Sequence, residues 1–170
     1  MLELAKKYQE EVFWAFKPHP LLRPKLEYMW GEKRTADYYS EWERLENAQV
    51  ETGKYIGLFM HSDAMIHDCG SFTVEYHYSG KPVMYLMSDN DLTLGFNEFQ
   101  QRAFDLHYKG WSESDIEKFI IDVINGIDPM AKDRTEFLQK SLTPPNGKDA
   151  SENIIEVLLS SDAERRVKFS

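Results

Sequence analysis

The chain contains one cysteine, Cys69, which excludes an intramolecular disulfide and any multi-cysteine zinc site. No apolar run approaches the roughly 20 residues a membrane-spanning helix needs. The N-terminus, MLELAKKYQEE, is charged and amphipathic where a signal peptide would be apolar. A reducing cytoplasm is therefore the expected compartment. Positive charge is scarce too: 20 Lys and Arg stand against 29 Asp and Glu, a net charge of −9. That balance argues against general binding to DNA, RNA or an anionic membrane, each of which calls for a positive surface field. A nucleotide ligand would then have to be held by a small local cluster of cations. Also missing are GxGxxG, the P-loop pattern, internal repeats and low-complexity tracts, so an ordinary NAD or ATP site is not expected.

What is present suits one domain. A length of 170 residues with 42% hydrophobic content supports a single core and is too apolar for disorder. Apolar runs at Val12 to Phe16, Ala64 to Ile66 and Pro82 to Met87, with a weaker one near Ala48 to Val50, predict buried parallel strands. Helical patterns cover Leu2 to Gln9, Leu22 to Trp30, Tyr38 to Leu45, Tyr55 to His61 and Phe72 to Tyr78. From residue 96 onward only helices are expected: Phe96 to His107, Ser114 to Asn125, Lys132 to Lys140 and Ser151 to Ser160. Ser112 or Ser114 is placed to cap the second of these, and Ser151 with Glu152 to open the last. Thr143-Pro-Pro-Asn-Gly-Lys148 reads as a turn with left-handed geometry at Asn146-Gly147. The reading is an α/β fold with a doubly wound parallel sheet and helices on both faces. Residues 1–95 alternate strand and helix, and residues 96–170 form a helical part.

Such sheets bind ligands beyond the carboxyl ends of their strands, which directs attention to two loops. In Lys17-Pro18-His19-Pro20 each proline forces its predecessor out of the helical region, so the chain leaves its first strand extended and stiff. That would mount His19 toward a crevice, with Lys17, Arg23 and Lys25 nearby; a solvated histidine in a stiff turn fits the spacing equally well. In Asp68-Cys69-Gly70-Ser71 a strand-to-helix turn could bring backbone N–H groups and the Ser71 hydroxyl to a phosphate. The plain alternative is a helix cap. Glu75, one helical turn on, could accept hydrogen bonds from sugar hydroxyls or simply be solvated. Cys69 has no evident base and reads as a packed residue. His61, His67, His77 and His107 lack metal-ligand spacing and read as packed or solvated. Tyr28, Trp30, Tyr38, Tyr39 and Trp42 read as core and helix–helix packing, because no cations are regularly interleaved.

Taken in order, Phe16-Lys-Pro-His-Pro-Leu-Leu22, Ser62-Asp-Ala-Met-Ile-His-Asp-Cys-Gly-Ser71, Glu75-Tyr76, Gly80-Lys-Pro-Val83 and Pro144-Pro-Asn-Gly-Lys148 resemble the CDP-glycerol glycerophosphotransferase family of teichoic-acid-type polymerases and primases. The resemblance runs from about residue 10 to residue 155 and rests on the set of motifs. It implies a GT-B architecture, with this chain resembling the C-terminal, donor-binding domain. It further implies His19 as the catalytic group at the donor diphosphate, with Lys17, Asp68, Gly70 and Ser71 around the phosphates and Glu75 at the nucleotide. No metal or cofactor is implied, and the donor would be CDP-glycerol or another CDP-linked group. Family members often carry tyrosine-serine-serine where this chain has Cys69-Gly70-Ser71, and aspartate at the position of Glu75, so the donor choice widens. The acceptor domain, with its own essential histidine, is expected outside this stretch of chain. Partners implied are the nucleotide-linked donor, that acceptor domain and, through the face it would cover, a second copy. The protein is expected at the inner side of the membrane without spanning it. Competing classes are another nucleotide-sugar enzyme of this fold, epimerase- or sialyltransferase-like, and a non-catalytic interaction domain.

Overall fold

Short apolar runs become very short strands. The computed structural model describes residues 1–89 and 95–168, with side chains described as far as Ser160. The strands are β1 (Trp14–Phe16), β2 (Ala48–Val50), β3 (Met65–His67), β4 (Val83–Leu86) and β5 (Tyr108–Gly110). All their pairings are parallel, which gives the α/β class expected. The single doubly wound sheet is corrected: β1 pairs with β2, and β3-β4-β5 form a separate three-stranded sheet. The fifth strand also corrects the expectation of a purely helical second half. Three residues are too few to show a period of two, and Gly110 carries no apolar signal at all. Its glycine nonetheless suits close packing, because a Cβ there would lie 2.9 Å from Met84 Sδ and 3.3 Å from Leu86 Cδ2, so those side chains would have to shift.

Strand edges move for local reasons. Val12 drops out of β1 because its N–H still donates to Tyr8 O, closing the turn after α1 (Leu2–Lys7). Pro82 has no N–H for the ladder, so β4 begins at Val83, although Pro82 O accepts from Met65 N.

The remaining helices are α2 (Leu22–Trp30), α3 (Glu32–Arg44), α4 (Ile56–His61), α5 (Phe72–Glu75, continued by a 3-10 turn at Tyr76–Ser79), α6 (Glu98–Asp105), α7 (Glu113–Ile124), α8 (Ala131–Phe137) and α9 (Ala150–Lys168). Ser112 caps α7 as expected, its hydroxyl accepting from Asp115 N while Asp115 answers from the N3 position. The cap of α9 is Asp149 rather than Ser151. Its carboxylate accepts from Glu152 N at 2.9 Å, and Glu152 returns a bond to Asp149 N. A charged oxygen is the stronger acceptor for a helix's first N–H groups. Asn146 and Gly147 adopt left-handed φ of 65° each, as the turn chemistry predicts.

α3 starts six residues earlier than its apolar pattern, because Gly31 at φ 84° ends α2 and begins α3 in a single residue. The resulting α2–α3 hairpin folds back so that the Arg23 guanidinium lies over the Tyr39 ring at 5.2 Å. Its core side stacks Trp42 on Phe16 at 4.7 Å, with Trp14 edge-on at 6.4 Å. Tyr39 and Trp42 are therefore core, as expected. Tyr28 and Trp30 are not: they are 92% and 37% exposed.

Asn47 fastens this half. Its side-chain amide donates to Ala5 O at 3.0 Å and Val12 O at 2.9 Å, and its own carbonyl accepts from Trp14 N. Asn47→Ala leaves two main-chain carbonyls unsatisfied in a buried position, and should cost about 2 kcal/mol in urea unfolding at unchanged slope. The two halves meet where Tyr8 donates to Glu117 of α7 at 2.7 Å, with Lys7 paired to the same carboxylate.

Candidate functional site

Both loops singled out from the sequence leave the carboxyl end of a strand, β1 for Lys17–Pro20 and β3 for Asp68–Ser71. The strands belong to different sheets, and among the described residues no hydrogen bond joins His19 to Ser71. What links the loops is a relay through the segment after β2. Lys17 Nζ donates to Gly53 O at 2.5 Å, tying the first loop to the segment after β2. Two residues later the Tyr55 ring meets Phe72 with centroids 5.0 Å apart, and the Glu75 carboxylate lies near enough to the Tyr55 hydroxyl to raise its pKa. Phe72 immediately follows Ser71. The connections after β1, β2 and β3 are thus held to one another by Lys17, Tyr55, Phe72 and Glu75.

Each candidate has a definite local setting. His19 is exposed, and its Nδ1 accepts the Leu21 N–H at 3.1 Å. With Nδ1 an acceptor, the ring hydrogen sits on Nε2, which makes Nε2 a donor for an external oxygen. Lys17 commits one of its three donors to Gly53, so it fixes the loop as well as charging it. Ser71 is exposed at the N-cap of α5 with no side-chain capping bond, so its hydroxyl is not spent as a cap. The N–H groups of Phe72 and Thr73 return to Cys69 O and Gly70 O, and α5 has only four helical residues. The uncommitted polar group of this turn is therefore the Ser71 hydroxyl, the N–H groups of Phe72 and Thr73 being already bonded. Gly70 is not forced by crowding: a Cβ there would meet Phe96 at an ordinary 3.8 Å. Asp68 is exposed, and its carbonyl accepts from the Tyr85 hydroxyl at 3.3 Å. Glu75 is turned to Tyr55, whose hydroxyl it holds above the usual phenol range.

Beneath the second loop lies a buried trio the sequence left as isolated histidines. His67 ends β3 beside Tyr85 of β4, its register partner, and Lys109 of β5 follows in the same row. The His67 and His107 rings are 5.3 Å apart, and those of His77 and His107 are 4.9 Å apart, both edge to face. Backbone carbonyls fix two of them: Ala103 O accepts from His77 Nε2 at 2.9 Å and from His107 Nδ1 at 3.0 Å. His67 Nδ1 lies 3.0 Å from Cys69 O and 3.3 Å from Cys69 N, inside the turn that carries Ser71. Burial pushes His67 and His77 down to about 4 and His107 to about 2, so all three are neutral near pH 7. Lys109, half-buried against the Phe104 ring and donating to Phe104 O and His107 O, is pushed down to about 8. Among the described residues no group of three or more His, Cys, Asp or Glu is placed to hold a metal ion.

Sequence spacing missed Tyr55 and the relay. The available signal was the pair of i, i+4 aromatic couples, Tyr55 with Phe59 and Phe72 with Tyr76, whose four rings form one cluster with centroids 5.0–5.1 Å apart. Compared with known protein families, with characterised proteins and with solved structures, the chain shows no significant match.

Proposed function

We propose that this chain is the nucleotide-donor-binding domain of a CDP-glycerol glycerophosphotransferase-like enzyme, a GT-B transferase of surface-polymer synthesis. The observation that carries the reading is the relay Lys17–Gly53, Tyr55–Phe72 and Tyr55–Glu75, which couples the loop of His19 to the turn of Ser71. In this reading the donor diphosphate bridges the two loops. His19 donates from Nε2 and Ser71 from its hydroxyl, while Lys17 supplies charge in a chain of net charge −9. An acceptor hydroxyl from the companion domain attacks the distal phosphorus, and its proton passes to a base of that domain. The phosphoanhydride bond breaks and CMP departs with the electron pair. His19 and Ser71 stabilise the negative charge growing on that phosphate; losing one such preorganised donor typically costs about 3 kcal/mol of transition-state stabilisation. In this reading Glu75, with Tyr55 beside it, would accept hydrogen bonds from ribose or sugar hydroxyls.

Calorimetric titration with CMP, CDP and UDP tests the assignment. Cytidine nucleotides should bind in preference to UDP, and His19→Ala and Ser71→Ala should each weaken CDP binding about tenfold, the loss of one charge-assisted hydrogen bond. Equal binding of all three nucleotides, or variants indistinguishable from the parent, would refute it. A preference for UDP would transfer the site to the nucleotide-sugar epimerases.

A further inference from the structure

We propose that His67 and Tyr85 are positioning residues for Ser71, two neighbouring side chains of the three-stranded sheet that grip the main chain of the Asp68–Ser71 turn and so fix where its hydroxyl stands. His67 closes β3, and Tyr85 lies beside it in register on β4. Both are buried, 8% and 3% exposed, with their rings edge-on at 5.2 Å. Each holds one residue of the turn. The Tyr85 hydroxyl donates to Asp68 O at 3.3 Å, and His67 Nδ1 lies 3.0 Å from Cys69 O and 3.3 Å from Cys69 N. In one tautomer Nδ1 donates to the carbonyl, in the other it accepts from the amide, so the ring holds Cys69 in either. Through these two residues the chain passes from β3 to Ser71, whose exposed hydroxyl makes no capping bond that would fix it locally.

The identity of residue 67 carries the inference. A buried imidazole gives up its hydration, and among the described residues the hydrogen bonds of His67 all go to Cys69, while its Nε2 has no partner. An apolar side chain would fill the same place without an unpaired nitrogen, so what the imidazole adds is its bond to the turn. His77 and His107 differ, since both direct their bonds to Ala103 O in α6. The grip also has a firm backing: His107 packs on His67 with centroids 5.3 Å apart, and Phe104 on Tyr85 at 5.2 Å. A hydroxyl presented from a turn held at two consecutive residues by buried side chains has little freedom left to lose on binding. Tyr85 and Asp68 are 17 residues apart, and it is the pairing of β3 with β4 that brings them together.

The positioning role rests on the donor-site reading, and two measurements on the full chain keep them apart. Calorimetric titration with CDP reads the hydroxyl: His67→Leu should weaken binding about tenfold, the loss expected when one preorganised donor is displaced. His67→Leu/Ser71→Ala should bind no more weakly than Ser71→Ala, because nothing is then left to position. His67→Asn carries its amide at the place of Nδ1 and should bind within about threefold of the parent, a rescue that packing alone would not give. Hydrogen exchange reads the grip without a ligand: the amides from Cys69 to Thr73 should exchange about tenfold faster in His67→Leu and near the parent rate in His67→Asn. Tyr85→Phe deletes one hydroxyl and keeps the packing, so it shifts both measurements in the same direction even if His67→Leu fails to fold. Additive losses in the double variant, an Asn variant no better than Leu, or unchanged exchange in His67→Leu and Tyr85→Phe overturn the proposal and leave the donor site standing. A parent that binds no CDP refutes the donor site instead; faster exchange in His67→Leu with rescue by Asn would then still establish the grip on the turn.

Discussion

Asp128→Ala is expected to be among the most destabilising single substitutions in the chain, at about 3–5 kcal/mol, because it leaves the Arg134 guanidinium buried without its counter-ion. Arg134 is wholly buried; it pairs with Asp128, whose other oxygen accepts from the Tyr108 hydroxyl at 2.8 Å. Among the described residues its Nε and Nη1 have no hydrogen-bond partner, so the carboxylate is the chief compensation for the charge. The asymmetric control is Arg134→Met. It removes the cation, keeps most of the volume, and leaves Asp128, which is partly exposed, with Tyr108 as partner. It should cost markedly less. Chemical denaturation of both variants decides the matter: equal losses would mean that the pair acts through packing and not through charge.

The second large effect is on pH. The folded values of about 4, 4 and 2 for His67, His77 and His107 lie below the unfolded value near 6.5. Between those limits the unfolded chain binds more protons than the folded one, so stability rises with pH and is lost as pH falls from about 6.5 toward 4. The cost should reach the order of 3 kcal/mol for each of His67 and His77 at the acid end of that window. Among the described residues no carboxylate contacts these rings to offset it, and Arg134 and Lys109 add like charge. Urea midpoints measured from pH 7 to pH 4.5 should fall steeply with constant slope. His77→Leu should reduce the proton uptake on unfolding by about one, while His107 still bonds Ala103 O. A flat midpoint over that range would show that the histidines are solvated and not packed.

The acid effect reaches the candidate site as well. His67 Nδ1 sits within the Cys69 turn, 3.0 Å from Cys69 O, so a charge placed on this buried ring would fall just before Ser71.

How much of this was legible varied with the length of the signal. The helices α2 and α7, and the cap of α7 at Ser112, follow from apolar spacing and one hydroxyl. The strand at Tyr108–Gly110 was invisible because tertiary contacts with Met84 and Leu86 make it, not its own composition. The stiff Lys17–Pro20 segment and the Asp68–Ser71 turn were found from proline and glycine chemistry, which acts locally. What couples them was not. Tyr55 is 17 residues from Phe72 and 20 from Glu75, and no local rule joins an aromatic ring to a distant loop. Tyr28 and Trp30 were misplaced for the opposite reason: aromatic character suggests burial, whereas position at a hairpin tip dictates exposure.

The clasp between Tyr8 and Glu117 spans 109 residues of sequence. On the ribosome, the first helix therefore emerges long before its carboxylate partner exists. Any early collapse of β1, β2 and the α2–α3 hairpin must proceed with that end untied, and the final closure waits for α7. Non-local closures of this kind slow folding, so maturation of the molecule should be paced by its middle and not by its beginning.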